Sequence, residues 1–463
     1  MKKIMTILLA LAMVFSLCAC GNSSSAQQTE APAAEGLQVG YAKINITPGY
    51  SMSMRGYSDD ETRKSEGFIA YIYLTCLAIT HGEETILAYT MDHLSIDHGM
   101  AEKFRKEIVP ATGIPAEKIF FGATHCHSCP TVSGQYQDEV NAWMVEAAQK
   151  ALADRAPATM LAGTQEIPGM NFDRHYVTDK GSYFGPSFGT VDGVVVAHAT
   201  ECDPQMVLVK FDFADESKKD VLMVNWQAHP ASASEIGYNQ IAPDFVGPLR
   251  DELENLSGMR VAYFTGASGN LVKDSQIDSE EHGLDWQAYG KKMGQLANDA
   301  LSCLKPVTGT GIKTQRKMVT VKINHDWDHM IEQANEVFDT WKTVGKAAGD
   351  ALGKTYGFTS SYQARAIRSR YNMKETTQLE TNAFSICGVG FTTGTYEMFA
   401  GSSNYVKANS PFDVTFVITG NQYYIPVPEA YDYRSYEADT SLFAKGTAEQ
   451  LAENYVEMLG LVK

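Results

Sequence analysis

The sequence predicts an α/β protein, with one large mixed domain from Leu37 to Lys463 that carries a helical insert. Three observations support this. Short apolar, β-branched segments alternate with segments of helical period along the whole body. No Pro- or Gly-rich linker divides that body, and no repeat occurs at solenoid periods. Hydrophobic residues make up 44% of the chain, ample for a core.

At the N-terminus, Lys2 and Lys3 precede an apolar run from Ile4 to Leu17, and Leu17-Cys18-Ala19-Cys20 has the form of a bacterial lipobox. Residues 1–20 are therefore expected to be a lipoprotein signal peptide, with Cys20 acylated as the new N-terminus. Residues 21–36, rich in Ser, Gln and Ala, are expected to form a disordered tether. No other segment has the ~18–20 apolar residues of a membrane span. The expected location is extracytoplasmic, with the body lipid-anchored to a bacterial membrane through Cys20.

Strands are expected at Val39 to Ile46, Gly67 to Thr80, Thr85 to Met91 and Lys118 to Thr124, with helical period at Gly99 to Val109 and Asp138 to Ala153. Strands follow at Ala158 to Glu166, Met206 to Phe213, Val221 to Trp226 and Arg260 to Phe264, and helices at Asp244 to Leu256 and Leu284 to Leu304. The polar helical pattern from Asp326 to about Asp350, continued to Tyr371, predicts a helical hairpin laid against the body. Apolar segments at Ala383 to Phe391 and Val414 to Thr419 return to strand, and Ala448 to Leu459 closes the chain as a helix.

A net charge of −17 excludes nucleic acid as a partner and repels anionic headgroups, so acylation rather than a basic patch must hold the protein at a membrane. Beyond Cys18 and Cys20, six cysteines are scattered without the spacing of a disulfide framework. Cys126 and Cys129 form a Cys-x-x-Cys compatible with redox or metal chemistry. However, Pro130 and the polar residues after it predict a loop rather than the helix that such redox pairs open.

His125-Cys126-His127-Ser128-Cys129-Pro130 ends an expected strand, where alternate side chains share a face and both imidazoles can enter one pocket. His229, in Val224-Asn225-Trp226-Gln227-Ala228-His229-Pro230, likewise ends a strand, the place where α/β folds put functional side chains. A hydrolytic zinc site needs about four N, O or S ligands with one position left to water. His125 or His127 supplies one ligand and His229 a second.

These segments resemble the neutral, non-lysosomal ceramidases. Val39-Gly40-Tyr41-Ala42-Lys43-Ile44-Asn45-Ile46-Thr47-Pro48 is similar to that family's first strand. Thr124 to Pro130 is similar to its Thr-His-Thr-His-Ser-Gly-Pro. Asn225 to Pro230 and Ala242 to Gly247 are similar to its His-Pro segment and the Asp-x-x-Gly that follows. Phe264 to Asn270, Tyr396 to Phe399, Tyr424 to Tyr431 and Tyr436-Glu437 continue the likeness in family order. Cys126 and Cys129 stand where the family has Thr and Gly, and Asn270 where it has Asp. Only 27 residues follow Tyr436, so the chain is expected to lack the family's C-terminal β-sandwich domain.

The resemblance implies that residues 37–463 form a ceramidase-like catalytic domain holding Zn2+ through His125, His229, Glu397 and Tyr424. It implies His127 beside the metal as a hydrogen-bonding catalytic group, with Tyr436 and Arg174 steadying the oxyanion. The implied activity is that of a zinc amidohydrolase cleaving N-acyl, ceramide-like amides through a metal-activated water. Two alternatives stand beside it: a hydrolase of non-sphingolipid N-acyl or ester substrates, and the substrate-binding lipoprotein of a transporter.

Overall fold

A computed structural model describes residues 36–57, 62–185, 193–277, 283–420 and 423–463. The expected signal peptide, Cys20 and all but the last residue of the tether lie outside the described residues. The described residues form one compact unit, unlike the two hinged lobes of a transporter's binding protein.

The α/β expectation holds, and its layers are now explicit. A nine-stranded mixed sheet runs in the order Arg260–Thr265, Val221–Trp226, Gln205–Phe213, Ala156–Glu166, Leu37–Asn45, Tyr73–His81, Glu84–Met91 and Ile119–Ala123, with Lys305–Pro306 paired to the side of Ala156–Glu166. A four-stranded sheet of Ile312–Lys322, Thr376–Ile386, Val389–Gly394 and Thr415–Thr419 packs against its inner face. Helices cover both outer faces. His98–Thr112, Gly134–Ala153, Val246–Ser257 and Trp286–Asp299 lie on the large sheet, and Thr447–Leu461 lies on the small one.

Strand periodicity produces this layering directly. In Tyr73–His81, the side chains of Leu74, Cys76 and Ala78 enter the helix-side core, whereas Leu77 and Ile79 enter the core between the sheets. Such strands are buried on both faces and read as continuous apolar runs, so their period is invisible in the sequence.

The large sheet is antiparallel through its middle and parallel at each edge. Glu84–Met91 pairs in parallel with Ile119–Ala123, and Val221–Trp226 with Arg260–Thr265, each pair joined through a crossover helix. The small sheet has a third such unit, Val389–Gly394 parallel to Thr415–Thr419 across the helix Ala400–Asn409. The large sheet curls until its edges meet: Thr90 Oγ1 donates to Tyr263 O at 2.6 Å and Thr265 Oγ1 to Thr124 O at 2.9 Å. Asn225 Nδ2 donates to Val417 O at 2.9 Å, and Thr393 Oγ1 to Phe121 O at 2.9 Å, tying the second sheet to both edges. The carboxyl ends of three parallel units therefore converge on one place.

Three expectations need correcting. The strand expected over Gly67 to Thr80 breaks into Gly67–Phe68 and Tyr73–His81, because Ile69 N leaves the sheet to donate to Ile241 O. The single strand expected over Ala383 to Phe391 is a hairpin, turned at Cys387 (φ 47) and Gly388 (φ 90), the paired positive angles of a two-residue loop. The insert is three helices rather than a hairpin: Ile331–Val344, Lys346–Thr355 and Ser361–Arg370. Gly345 (φ 128) and Gly357 (φ 81) supply the breaks.

Candidate metal centre

His125 follows the edge strand Ile119–Ala123, and its backbone turns at once into the left-handed region, φ 63. That conformation costs a non-glycine residue about 1–2 kcal/mol, and here it points the imidazole into the space where the sheet edges meet. His229 leaves the parallel strand Val221–Trp226 at the opposite edge. Its loop is anchored by Asp244, a buried carboxylate whose Oδ2 accepts from Ser232 N at 2.7 Å. The two rings meet across 104 residues of chain, with Nε2 atoms 2.8 Å apart. His127 Nε2 lies 3.2 Å from His125 Nε2. The ligating nitrogens of all three lie within 4.8 Å of one another.

These close approaches are not hydrogen bonds. Each ring commits its other nitrogen to a backbone carbonyl: His125 Nδ1–H donates to Leu94 O at 2.8 Å, His229 Nδ1–H to Ser268 O at 3.0 Å, and His127 Nδ1–H to Gly56 O at 2.7 Å. A carbonyl only accepts, so the proton sits on Nδ1 and each Nε2 presents a lone pair. Burial keeps the rings neutral, holding His125 and His229 well below the usual imidazole range and lowering His127 to about 4. Three lone pairs facing one another repel unless a cation lies among them. Carbonyl-oriented histidines of this kind are what metal sites use to fix ring and tautomer.

Carboxylate and phenol complete the junction. Glu397 and Tyr424 are register partners in a short parallel pairing that extends the third parallel unit. Glu397 Oε1 lies 3.5 Å from His125 Nε2, and Oε2, 4.0 Å from His229 Nε2, is buried with no hydrogen-bond partner among the described residues. Burial pushes its carboxyl up to about 8 even though the Arg174 guanidinium opposes the shift, and a cation at the junction reverses that shift. The Tyr424 hydroxyl accepts from Arg174 Nη2 at 3.2 Å. The nitrogen-rich donor set thus fits a borderline-soft dication such as zinc. A second cluster, His98, Glu102 and Glu380, does not, because Arg105 and Arg316 already neutralise its carboxylates.

Of the other expected residues, Tyr436 packs its ring edge-on to Tyr424, centroids 6.0 Å apart. Arg174 is not a surface arginine: its side chain is 12% exposed and ion-paired to Glu437 Oε1. Gly56 is required beside His127, since at φ 115 a Cβ there meets the imidazole at 2.7 Å. The hydroxyls of Ser128 and Ser268 are buried without a hydrogen-bond partner among the described residues. Instead their carbonyls accept, Ser268 O from His229 Nδ1–H and Ser128 O from Ala242 N. Cys126 Sγ donates to Ala242 O at 2.9 Å, and burial raises both thiols of the Cys-x-x-Cys, the opposite of a reactive redox pair.

Sequence reasoning missed the buried group behind Arg174. Glu437 accepts from His175 Nε2–H at 2.7 Å, and Asp173 accepts from His175 Nδ1–H at 3.1 Å. The adjacency of Asp173, Arg174 and His175 is the signal that was available. Burial alone lowers the His175 pKa, but Glu437 and Asp173 override it and raise it from 6.5 to about 9. Burial likewise opposes ionised Glu437, yet Arg174 and His175 draw it from 4.5 down to about 2. A raised histidine contributes stability that is full below its ordinary value and lost as pH rises through the folded one. A depressed carboxylate contributes stability that is full above its ordinary value and lost as pH falls. This cluster therefore stabilises most between pH 4.5 and 6.5. Urea titrations from pH 6.5 to 9 are expected to show a loss of about 3 kcal/mol that His175→Gln lacks.

The sequence matches no protein-family model and no curated protein. Solved structures do match. One is the crystal structure of neutral ceramidase from Pseudomonas aeruginosa, with a TM-score of 0.69 at 16% identity over 92% of this chain and 74% of that one. A ceramidase complexed with C2 aligns with a TM-score of 0.68 at 16% identity, over 92% of this chain and 75% of that one. The chain therefore has a neutral-ceramidase-like fold, the one its motifs from Val39 to Tyr436 resemble.

Proposed function

We propose that this chain is a zinc-dependent amidohydrolase that cleaves N-acyl, ceramide-like amide bonds, anchored outside the cell through acylated Cys20. The observation that carries the reading is the convergence of three imidazole lone pairs and a carboxylate oxygen unpartnered among the described residues, each imidazole held by a backbone carbonyl. His125, His229, Glu397 and Tyr424 would hold the ion, which when bound supplies Lewis-acid activation of a carbonyl and of water.

The chain's own groups do the rest. Of the three histidines, His127 is the one that is only partly buried, and its Nε2 lies at the centre, 3.2 Å from His125 Nε2. It can take a proton from the attacking water and return it to the leaving nitrogen, which departs poorly unless protonated. Arg174 has its Nε buried without a partner among the described residues, a donor available to the developing oxyanion beside the Tyr436 phenol.

The test measures bound metal together with fatty-acid release from ceramide, simpler N-acyl amides and matching esters. Chelation is expected to lower amide cleavage more than about 100-fold, with zinc restoring it. Activity indifferent to chelation, or confined to esters, overturns the reading.

A further inference from the structure

The helical insert was expected to lie against the body, but nothing in its sequence shows what it does there. The structure places a file of aromatic rings along it, starting at the candidate centre. Tyr424 meets Tyr436 at 6.0 Å between centroids, Tyr436 meets Tyr362 at 5.5 Å, Tyr362 meets Trp341 at 5.3 Å and Trp341 meets Phe338 at 5.8 Å. Phe338 and Trp341 lie three apart on the helix Ile331–Val344, and Tyr362 starts the helix Ser361–Arg370. The two helices share a separate core of Ala334, Val337, Phe358, Ala364 and Ile367, so the rings are not needed to hold them together. Each ring in the file is only partly buried, leaving one edge to solvent from the centre outwards.

An arginine stands over this file. The Arg365 guanidinium is exposed and lies 5.3 Å from the Tyr362 ring and 5.6 Å from the Trp341 ring. Among the described residues it has no carboxylate partner. Lys342 also lies over the Phe338 and Trp341 rings, whereas Lys346 is paired with Asp350 at 2.6 Å and Arg368 with Asp339 at 3.6 Å. A guanidinium spread over aromatic faces is pre-organised and weakly hydrated, with its edge free to bind an oxyanion in bidentate fashion. On a chain of net charge −17, whose overall field repels anions, an unneutralised arginine beside the site is a local exception.

Building on the amidohydrolase reading, we infer that the insert is the substrate-recognition face of this site. The rings from Tyr436 to Phe338 seat an amphiphilic N-acyl amide, and Arg365 binds an oxyanion carried on its amine-derived part. The substrates selected are therefore anionic N-acyl amides, carboxylate or sulfonate, over neutral ones.

The experiment compares N-dodecanoylglycine, N-dodecanoyltaurine and neutral N-dodecanoylethanolamine on the zinc-loaded wild type, Arg365→Gln and Arg365→Lys. Both kcat/KM and the dissociation constant are read, the latter by calorimetric titration. Arg365→Gln is expected to weaken the two anionic amides about 10-fold or more, through KM and Kd, and to leave the neutral amide within about twofold. Arg365→Lys is expected to recover part of the loss, and a preference of carboxylate over sulfonate, or the reverse, identifies the anion. Equal effects on anionic and neutral amides, or none, overturn the inference. Charge-selective binding without hydrolysis of any amide upholds the recognition face and overturns the hydrolase reading instead.

Discussion

Replacing His229 with alanine is expected to lower metal affinity by at least about 100-fold and to abolish measurable amide cleavage. The ring is buried, its Nδ1 is fixed by Ser268 O, and its Nε2 stands 2.8 Å from that of His125. Stability provides a second, independent readout. Binding of a metal to the native state adds stability by mass action, so chelation is expected to lower the wild-type melting temperature. In His229→Ala the same chelator is expected to shift it little. The ion-free variant also sheds one of three mutually repelling lone pairs, which offsets part of the lost packing. Metal analysis and thermal melts with and without chelator check both outcomes, and a variant that keeps its full metal content contradicts them.

Glu437→Ala is expected to destabilise the protein by about 3–5 kcal/mol, the cost of leaving buried charges uncompensated. Glu437 is fully buried and bridges two cationic groups, Arg174 and His175. Removing it leaves His175 with Asp173 alone and frees the guanidinium that donates to Tyr424. Glu437→Gln keeps the shape but not the charge, so it is expected to lose less stability while still lowering kcat. Urea unfolding separates the structural loss from the kinetic one.

Much of the fold was legible because strands and helices announce themselves locally. The runs at Val221 to Trp226 and Arg260 to Phe264 were readable as strands from their apolar, β-branched composition. That they pair in parallel depends on contacts between residues 39 positions apart, and that the sheet curls to bring His229 against His125 depends on contacts across 104. The hairpin at Cys387-Gly388 was hidden for a different reason: Cys is an unusual residue for a positive φ, so the turn carries no familiar signal.

By itself, the sequence determined the class of fold, the strand-end position of His125 and His229 and, through resemblance, the candidacy of Glu397, Tyr424, Arg174 and Tyr436. Tertiary structure alone decided that the His125 and His229 rings meet, that Glu437 and His175 stand behind Arg174, and that the insert carries rings outwards from Tyr436. The physical reason is that local propensity acts over a few residues. A metal centre is instead defined by lone pairs meeting in space, and which strands become neighbours is settled by the burial of both sheet faces.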